Sequence, residues 1–242
     1  MKFRLKLFFG HLVVSLIVAM LVLALIFGVW YPSPFDKALG VGSVLIILLA
    51  IDVILGPLMT LILAKEGKKG LKFDLIVIGI VQLSALCYGL YNINKGRPVA
   101  VAFDVSRFEI VQNHMVQDKR HREILQQYSQ EQGQKIPIIA IRPPKDDDEF
   151  LQRMNNEMEL GKFTVADYGL YQPLEKDFHV IQAHIKPLAK FSTPNNKAKN
   201  EQIFAQYPQA DGFVSIFTNH QSLTALIDSK NKKVVAVLNL EP

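Results

Sequence analysis

Asp52 is the residue whose chemistry most needs an explanation, because it lies inside a long apolar stretch, VLIILLAIDVILGPLMTLILA. A charged group at that depth of a membrane helix is costly and usually has a functional or packing role. Asp52, Gly56 and Met59 share one helical face, and Pro57 leaves the carbonyl of Val53 without its usual donor. The pattern predicts a bent helix with a carboxyl group beside the bend.

Two interpretations of Asp52 remain open from this pattern. As a functional group, it would be an ion or proton site, or would form with the Gly56-Pro57 bend a lateral docking notch for a partner helix. As a packing group, it would be protonated, or hydrogen-bonded to Gln82, Tyr88 or Ser15, and would set the packing of three helices. The sequence shows no second ionisable group at a matching depth, which favours a packing or partner-binding role over a proton relay.

Other polar or small residues in the apolar stretches suggest further helix contacts. Gly79, Gln82 and Gly89 follow one face of the third stretch, and small residues let helix backbones approach closely. Tyr88 lies beside this stripe and is typical of the aromatic belt at a membrane surface. His11 and Asp74 lie near the same end of their helices. We interpret His11 as a residue of the headgroup zone and Asp74 as favouring a helix N-terminus, with a pair between them as the alternative.

The remaining clusters of reactive side chains give weak signals. The acidic run 146–149 lacks the glycine and terminal glutamate of an EF-hand loop, so it is interpreted as compensation of a helix dipole. His179 and His184 are spaced poorly for two metal ligands on one helix. The sequence contains no GxSxG, Walker A or GxGxxG motif, and its single cysteine, Cys87, lies in an apolar stretch. We therefore predict no enzyme activity, no cofactor and no metal site.

Three apolar stretches must position Asp52, and they predict membrane-spanning helices at about residues 8–30, 41–64 and 73–93. Each is at least as long as the roughly 20 residues that cross a ~30 Å hydrocarbon core. The first is longer than the apolar region of a cleaved signal peptide and has no small-residue cleavage site, which indicates a retained anchor. Residues 1–95 are thus predicted to form a three-helix transmembrane bundle.

Positive charge is concentrated in this membrane part. Residues 1–98 contain ten Lys or Arg and four Asp or Glu, whereas residues 99–242 contain 17 and 18. The excess of positive charge is therefore interpreted as a signal of membrane topology. A nucleic-acid partner is not expected, because residues 99–242 have no excess of positive charge.

The loop between the second and third stretches determines the predicted orientation. Its cationic residues should stay in the cytoplasm, because short loops rich in lysine do so. The N-terminus is then cytoplasmic, and residues 96–242 form a periplasmic domain of a multi-pass protein in the bacterial inner membrane. Trp30 and Tyr31 are predicted at the outer interface, and Arg97-Pro98 at the hinge between the two parts. The lysines of the loop are Lys65, Lys68, Lys69 and Lys72.

The second part has the pattern of an α+β soluble domain. VAVAFDV and RFEIV predict two strands with a break at Asp104, IPIIAI predicts a buried strand, and three β-rich runs near the end predict an antiparallel meander. Helices are predicted at 118–132 and about 146–161, the segment 162–195 is expected to be irregular, and 197–207 to be a short helix. One side of the second helix is apolar, with Phe150, Leu151, Met154 and Met158.

The combined order WYPSPF, DVILGPLMTLILAKEGKKGLKFDL, QLSALCYGLY and RPVAVAFDVSRFEIV resembles type IV pilin accessory proteins of the TfpX/TfpZ kind. The resemblance covers about residues 8–111. The positions that match the family pattern have no known role in it. They are Trp30, Tyr31, Pro32, Asp52, Gly56, Pro57, Lys68, Lys69, Asp74, Gln82, Tyr88, Gly89, Arg97, Pro98, Arg107 and Phe108.

The resemblance implies a non-enzymatic accessory factor of type IV pilus biogenesis that acts on pilin stability, assembly or retraction. Its implied partners are a type IV pilin subunit and membrane lipid, with a homo-oligomer as a further possibility. Two other hypotheses fit a polytopic protein: a sensor or ligand-binding protein with a periplasmic domain, and an oligomeric ion- or proton-coupled protein that uses Asp52. A sensor would need a cytoplasmic output module, and the predicted cytoplasmic segments are too short for one.

Overall fold

The computed structural model describes residues 1–191, 197–218 and 220–240. The chain divides into two compact units, Met1–Arg97 and Pro98–Pro242. Positions 192–195 of the segment expected to be irregular, and Asn219 before the second strand of the predicted meander, lie outside the described residues.

Three helices in the first unit are long and apolar enough to cross a membrane: Lys2–Trp30, Val41–Leu63 and Leu71–Gly96. The first consists of α1 (Lys2–Leu25) and a π-helical turn, Ile26–Trp30; a short helix, α2 (Phe35–Ala38), follows it. The second consists of α3 (Val41–Ala50), a π-helical turn, Ile51–Leu55, and α4 (Gly56–Leu63). The third is α5 (Leu71–Gly96).

Most of the surface of these helices is apolar and open. Only 22%, 33% and 11% of the residues in their most apolar windows are buried inside the unit. A small internal cluster joins the three helices and includes Ile26, Leu45, Leu48, Leu86 and Ile93. Water would disfavour so much exposed apolar area, so this surface is suited to lipid or to another apolar helix.

The second unit begins directly with a strand hairpin and alternates helices with strands. Its strands are β1 (Pro98–Asp104), β2 (Arg107–Gln112), β3 (Ile138–Ile141), β4 (Tyr171–Gln172), β5 (Lys186–Pro187), β6 (Gly212–Phe217), β7 (Leu223–Asp228) and β8 (Lys233–Leu238). Its helices are α6 (Lys119–Gln132), α7 (Asp147–Leu160), α8 (Phe178–Gln182) and α9 (Lys197–Phe204), with 3-10 turns at Asn113–Met115, Thr164–Ala166, Tyr168–Leu170 and Leu188–Lys190.

The strands form one mixed sheet in the order β4-β3-β1-β2-β6-β7-β8, and β5 also pairs with β6. β1 pairs with β2 in an antiparallel hairpin and with β3 in parallel, while β2 pairs with β6 in parallel. β6, β7 and β8 form an antiparallel meander. The predicted α+β class, with an antiparallel meander at the C-terminal end, is therefore confirmed.

Alternation along the strands explains how the sheet buries apolar side chains. Ala100 and Ala102 of β1 pack with Leu125 of α6, while Phe103 and Phe108 meet edge to face at 5.1 Å between ring centroids. Successive side chains of a strand point to opposite faces, so β1 contributes to a core on each side of the sheet.

The helix ends follow the local signals of the sequence. Asp118 and Asp146 cap α6 and α7 by accepting hydrogen bonds from the backbone N–H of His121 and Glu149, each at 2.8 Å. Gly133 and Gly161 end the two helices in the left-handed region, with φ of 63° and 61°.

Candidate functional site

The second long helix is irregular at the point where the sequence predicts a break. In the π-helical turn Ile51–Leu55, the N–H of Gly56 donates to the carbonyl of Ile51. The carbonyl of Asp52 therefore has no backbone donor, because Pro57, which follows Gly56, has no N–H to donate. Gln82 of α5 supplies the missing donor, with its Nε2 3.1 Å from the Asp52 carbonyl oxygen.

Gly56 makes this interhelical hydrogen bond possible. A Cβ built at position 56 would overlap the amide group of Gln82. The glycine thus lets the side chain of one helix reach the backbone of the other. The same kind of approach occurs at Gly89, where an added Cβ would lie 2.5 Å from Cδ1 of Leu48.

The side chains around this contact form a polar layer, defined here as His11, Ser15, Asp52, Thr60 and Gln82. Asp52 and Ser15 are each only 6% exposed, and Thr60 is 1% exposed. His11 Nδ1 lies 2.7 Å from Thr60 Oγ1. Among the described residues, Oδ2 of Asp52 has no hydrogen-bond partner.

This geometry is suited to holding helices together. Hydrogen bonds between helices stabilise their association in an apolar environment. The polar layer combines side chains from all three long helices, and their apolar neighbours enclose it. A partner helix could not reach Asp52 without separating the bundle.

Of the two interpretations of Asp52, the packing role agrees with these contacts. The expected lateral notch is closed, because Asp52, Gly56 and Pro57 are buried within the unit. Met59 is 39% exposed, and Thr60 takes the predicted place on the buried face. The π-helical turn explains both differences, because it inserts one residue into the helical register.

The predicted side-chain partners also differ. Tyr88 is 71% exposed and does not share the polar layer with Asp52. His11 contacts Thr60, while Asp74 forms an ion pair with Lys68 Nζ at 2.5 Å, so the alternative of a His11–Asp74 pair is not seen.

The small-residue stripe of α5 is only partly a packing surface. Gln82 contacts the second helix and Leu86 is buried. Gly79 has no atom within 4 Å of an added Cβ, so it contributes no close approach.

Tyr31 lies at the end of the first long helix, as predicted, but its side chain is internal. It is 3% exposed, and its hydroxyl donates to the carbonyl of Ile93 at 2.7 Å. Trp30 is partly buried against the apolar cluster that joins the three helices and includes Tyr31. Arg97 follows the last residue of α5 and Pro98 opens β1, so the two units meet in sequence at this dipeptide.

The acidic run of the second unit caps and anchors α7. Asp146 caps the helix, and Glu149 binds Arg142 Nη2 at 2.5 Å and Arg153 Nη2 at 2.6 Å. These hydrogen bonds hold the pKa of Glu149 far below its usual range. Over 1–191, 197–218 and 220–240, no three His, Cys, Asp or Glu residues form a group that could hold a metal ion.

A second buried polar site, around His121, was not predicted. His121 is fully buried; its Nδ1 accepts from the N–H of Gln117 at 3.3 Å, and its Nε2 lies 3.0 Å from the hydroxyl of Tyr171. Burial lowers the pKa of His121, which keeps the ring neutral. The buried ring links α6 to β4 through Tyr171 and has a structural role. The only sequence signal was its position four residues before Leu125.

Asp104 is a half-buried ionisable group of this unit. It ends β1, and burial, reinforced by Glu109 and Glu157, raises its pKa to about 6. Arg153 and Arg107 oppose this shift only partly. The carboxyl group therefore changes charge in a mildly acidic range, which gives the unit a pH-dependent stability.

Comparison with known proteins gives consistent matches. The sequence model of the family described as "Fimbrial assembly protein FimB" matches residues 1–40. A fimbrial assembly protein of serogroup I from Dichelobacter nodosus is 28% identical over 240 residues, which cover 96% of this chain and 93% of the relative. A fimbrial assembly protein of serogroups C1 and C2 from the same organism is 44% identical over 103 residues, 42% of this chain and 79% of the relative. No solved structure has significant similarity to the chain.

Proposed function

The chain belongs to the family of fimbrial assembly proteins, and from this premise we propose that it is a non-enzymatic accessory factor of type IV pilus biogenesis. In this proposal it binds a pilin subunit in the inner membrane and modulates the stability, assembly or retraction of pilin. The observation that carries the proposal is the 44% identity to a fimbrial assembly protein. The resemblance in residues 8–111 to type IV pilin accessory proteins supports the same function.

We further propose a defined topology. The cationic loop with Lys65, Lys68, Lys69 and Lys72 stays in the cytoplasm. The N-terminus is then cytoplasmic, and the α+β unit lies in the periplasm. This arrangement would present the unit to the same compartment as the globular head of a membrane-embedded pilin.

The roles of the membrane residues follow from their contacts. We propose that Asp52, Gly56, Pro57, Gln82 and Gly89 fix the mutual packing of the three helices. The outward apolar faces of the three helices would then be available to the pilin helix and to lipid. On α5, the exposed Tyr88 is the proposed contact residue. We propose that Trp30 and Tyr31 lie at the outer membrane interface and that Arg97-Pro98 is the hinge between the two units.

A clean deletion of the gene tests the function. We expect loss of surface pili and of twitching motility, both restored by the wild-type gene. Normal piliation in the deletion strain would overturn the proposal.

Two glycine variants refine this test. Gly56→Leu should fail to restore piliation, because its side chain would displace Gln82. Gly79→Leu is the matched control and should restore it, because position 79 is open.

Photo-crosslinking from position 88 in living cells tests the partner. We expect adducts with the pilin subunit. Adducts only between copies of this chain would instead favour an oligomeric membrane protein.

A further inference from the structure

α7 is attached to the second unit through its polar side. Glu149 pairs with Arg142 and Arg153, and Arg153 also donates to the carbonyl of Arg142 at 2.9 Å. Farther along the helix, Glu157 accepts from the N–H of Thr164 at 2.6 Å. Within α7, residues Asp147–Leu160, no side chain is buried. Amphipathic helices of soluble proteins normally pack the other way, with the apolar side inward.

The apolar side of α7 consequently faces outward. Phe150, Leu151, Met154 and Met158 are 42%, 47%, 40% and 78% exposed, and their spacing places them on one side of the helix. We refer to these four residues as the outer face of α7. A contiguous exposed apolar surface of this kind typically marks an interaction site. Methionine suits such a surface because its flexible side chain adapts to a partner.

The charges on the exposed part of α7 restrict what can bind there. The exposed charged side chains of the helix are Asp147, Asp148 and Glu159, and all three are acidic. A second copy of the chain would bring like charges together. An anionic lipid surface is disfavoured for the same reason, since helices that lie on membranes carry lysine and arginine on their polar side.

We propose that the outer face of α7 is a docking site for a partner protein segment that is both apolar and cationic. Apolar side chains of the partner cover Phe150, Leu151, Met154 and Met158. Lysine or arginine residues at the edges of the segment pair with Asp147, Asp148 and Glu159. The apolar contacts supply most of the affinity, and the charges select the partner.

Binding of a designed peptide to the full-length protein tests this site. The protein is placed in phosphatidylcholine nanodiscs, and two fluorescent amphipathic peptides are compared, one of leucine and lysine and the other of leucine and glutamate. We expect the lysine peptide to bind at least about tenfold more tightly. Equal binding of the two peptides would contradict the proposed charge selection.

Variants locate the binding on α7. Leu151→Ser with Met154→Ser should weaken binding of the lysine peptide about tenfold or more, because two apolar contacts are lost. Glu159→Lys should also weaken it, although a cation suits this end of the helix and should not unfold it. Gln126→Ser on α6 is the control and should leave binding unchanged. Unaltered binding in the first two variants would refute the site.

The competing occupants are tested with the same variants. Sedimentation of protein in nanodiscs reports self-association, and flotation with vesicles of phosphatidylcholine and phosphatidylglycerol reports lipid binding by the periplasmic unit. Self-association or vesicle binding that depends on Leu151 and Met154 would overturn the proposal.

A photo-crosslinker at position 154, with position 126 as control, provides the test in cells. The crosslinked peptide, identified by mass spectrometry, should be apolar with a positive net charge. An acidic peptide, or no crosslink above the control, would count against the site.

Discussion

A single glycine decides whether the second and third helices can approach at the polar layer. Gln82 reaches the carbonyl of Asp52 only because position 56 has no side chain. This carbonyl has no backbone donor, so losing Gln82 would leave it unsatisfied in an apolar environment. Such an unpaired group costs about 1–3 kcal/mol.

We therefore predict that Gly56→Ala lowers the stability of the helical unit by about 1–2 kcal/mol. The added methyl group displaces the Gln82 amide. Thermal unfolding in detergent micelles measures the effect, and Gly79→Ala, with open space at its Cβ, should be neutral or slightly stabilising. Equal stability of the two variants would show that Gln82 adapts without losing its bond.

At the same scale, Asp104 gives the second unit a predicted pH dependence. Its pKa is raised to about 6 in the folded state, mainly by burial. The protonated form is thus preferred in the fold, and its stabilising contribution is lost as the pH rises from about 4 through about 6.

We expect Asp104→Asn to remove this loss. Between about pH 5 and pH 7.5, wild type should lose roughly 1.4 kcal/mol of unfolding free energy relative to the variant. Hydrogen exchange of the β1 amides in the full-length protein reports the difference. The comparison of the two proteins cancels the opposite pH dependence of the buried His121, whose pKa is lowered. Parallel pH profiles would contradict the assignment.

At the scale of elements, α7 is held mainly by charged side chains. Glu149 joins Arg142, at the end of β3, to Arg153 within the helix. Because the apolar side of α7 is exposed, removal of this carboxylate leaves the helix dependent on weaker contacts such as the hydrogen bonds of Arg153 and Glu157.

Glu149→Ala should therefore loosen α7 and leave the sheet intact. We expect hydrogen exchange in α7 to become severalfold faster, with β1 and β7 unchanged. Glu159→Ala removes an exposed acid from the same helix and is the matched control. Equal acceleration in both variants would indicate a general effect of acidic residues on helix stability.

The hairpin between β1 and β2 contains a second local feature. Val105 has φ of 52°, a left-handed conformation that is unfavourable for a β-branched residue. Asparagine tolerates this region better.

Val105→Asn should therefore stabilise the second unit by about 1 kcal/mol. Chemical denaturation of the full-length protein in nanodiscs, followed by hydrogen exchange of β1 and β2, measures the change. Val99→Asn, within the extended strand β1, should show no such gain.

At the scale of the whole molecule, the proposed topology makes the two units face different environments. The chain has one cysteine, Cys87, so Cys87→Ser provides a cysteine-free background for labelling. Lys68 lies in the cationic loop and Gln126 is exposed on α6.

In that background, Gln126→Cys should react with a membrane-impermeant maleimide in intact spheroplasts, whereas Lys68→Cys should react only after lysis. Labelling at 68 before lysis would reverse the orientation and remove the proposed contact with the pilin head. Replacing the four loop lysines with glutamine should weaken the preference for one orientation.

Local sequence patterns were sufficient to predict most elements. The apolar stretches predicted three long helices, and alternation predicted β1, β2 and the meander. The acidic run 146–149 and Gly161 predicted the ends of α7. These signals act over a few residues, so they can be read without knowing the fold.

The polar layer and the outward side of α7 depend on the tertiary structure. The sequence placed Asp52 near the Gly56-Pro57 bend and predicted an unpaired carbonyl at Val53. Because of the π-helical turn, the carbonyl that lacks a backbone donor is that of Asp52, and Thr60 lies on the buried face where Met59 was expected. Periodicity likewise predicted an apolar side of α7, but not its direction. That direction depends on Arg142 and Arg153, which reach Glu149 only in the folded chain. Composition and periodicity thus determined which segments form helices and strands, whereas contacts between distant segments decided which side of each is buried.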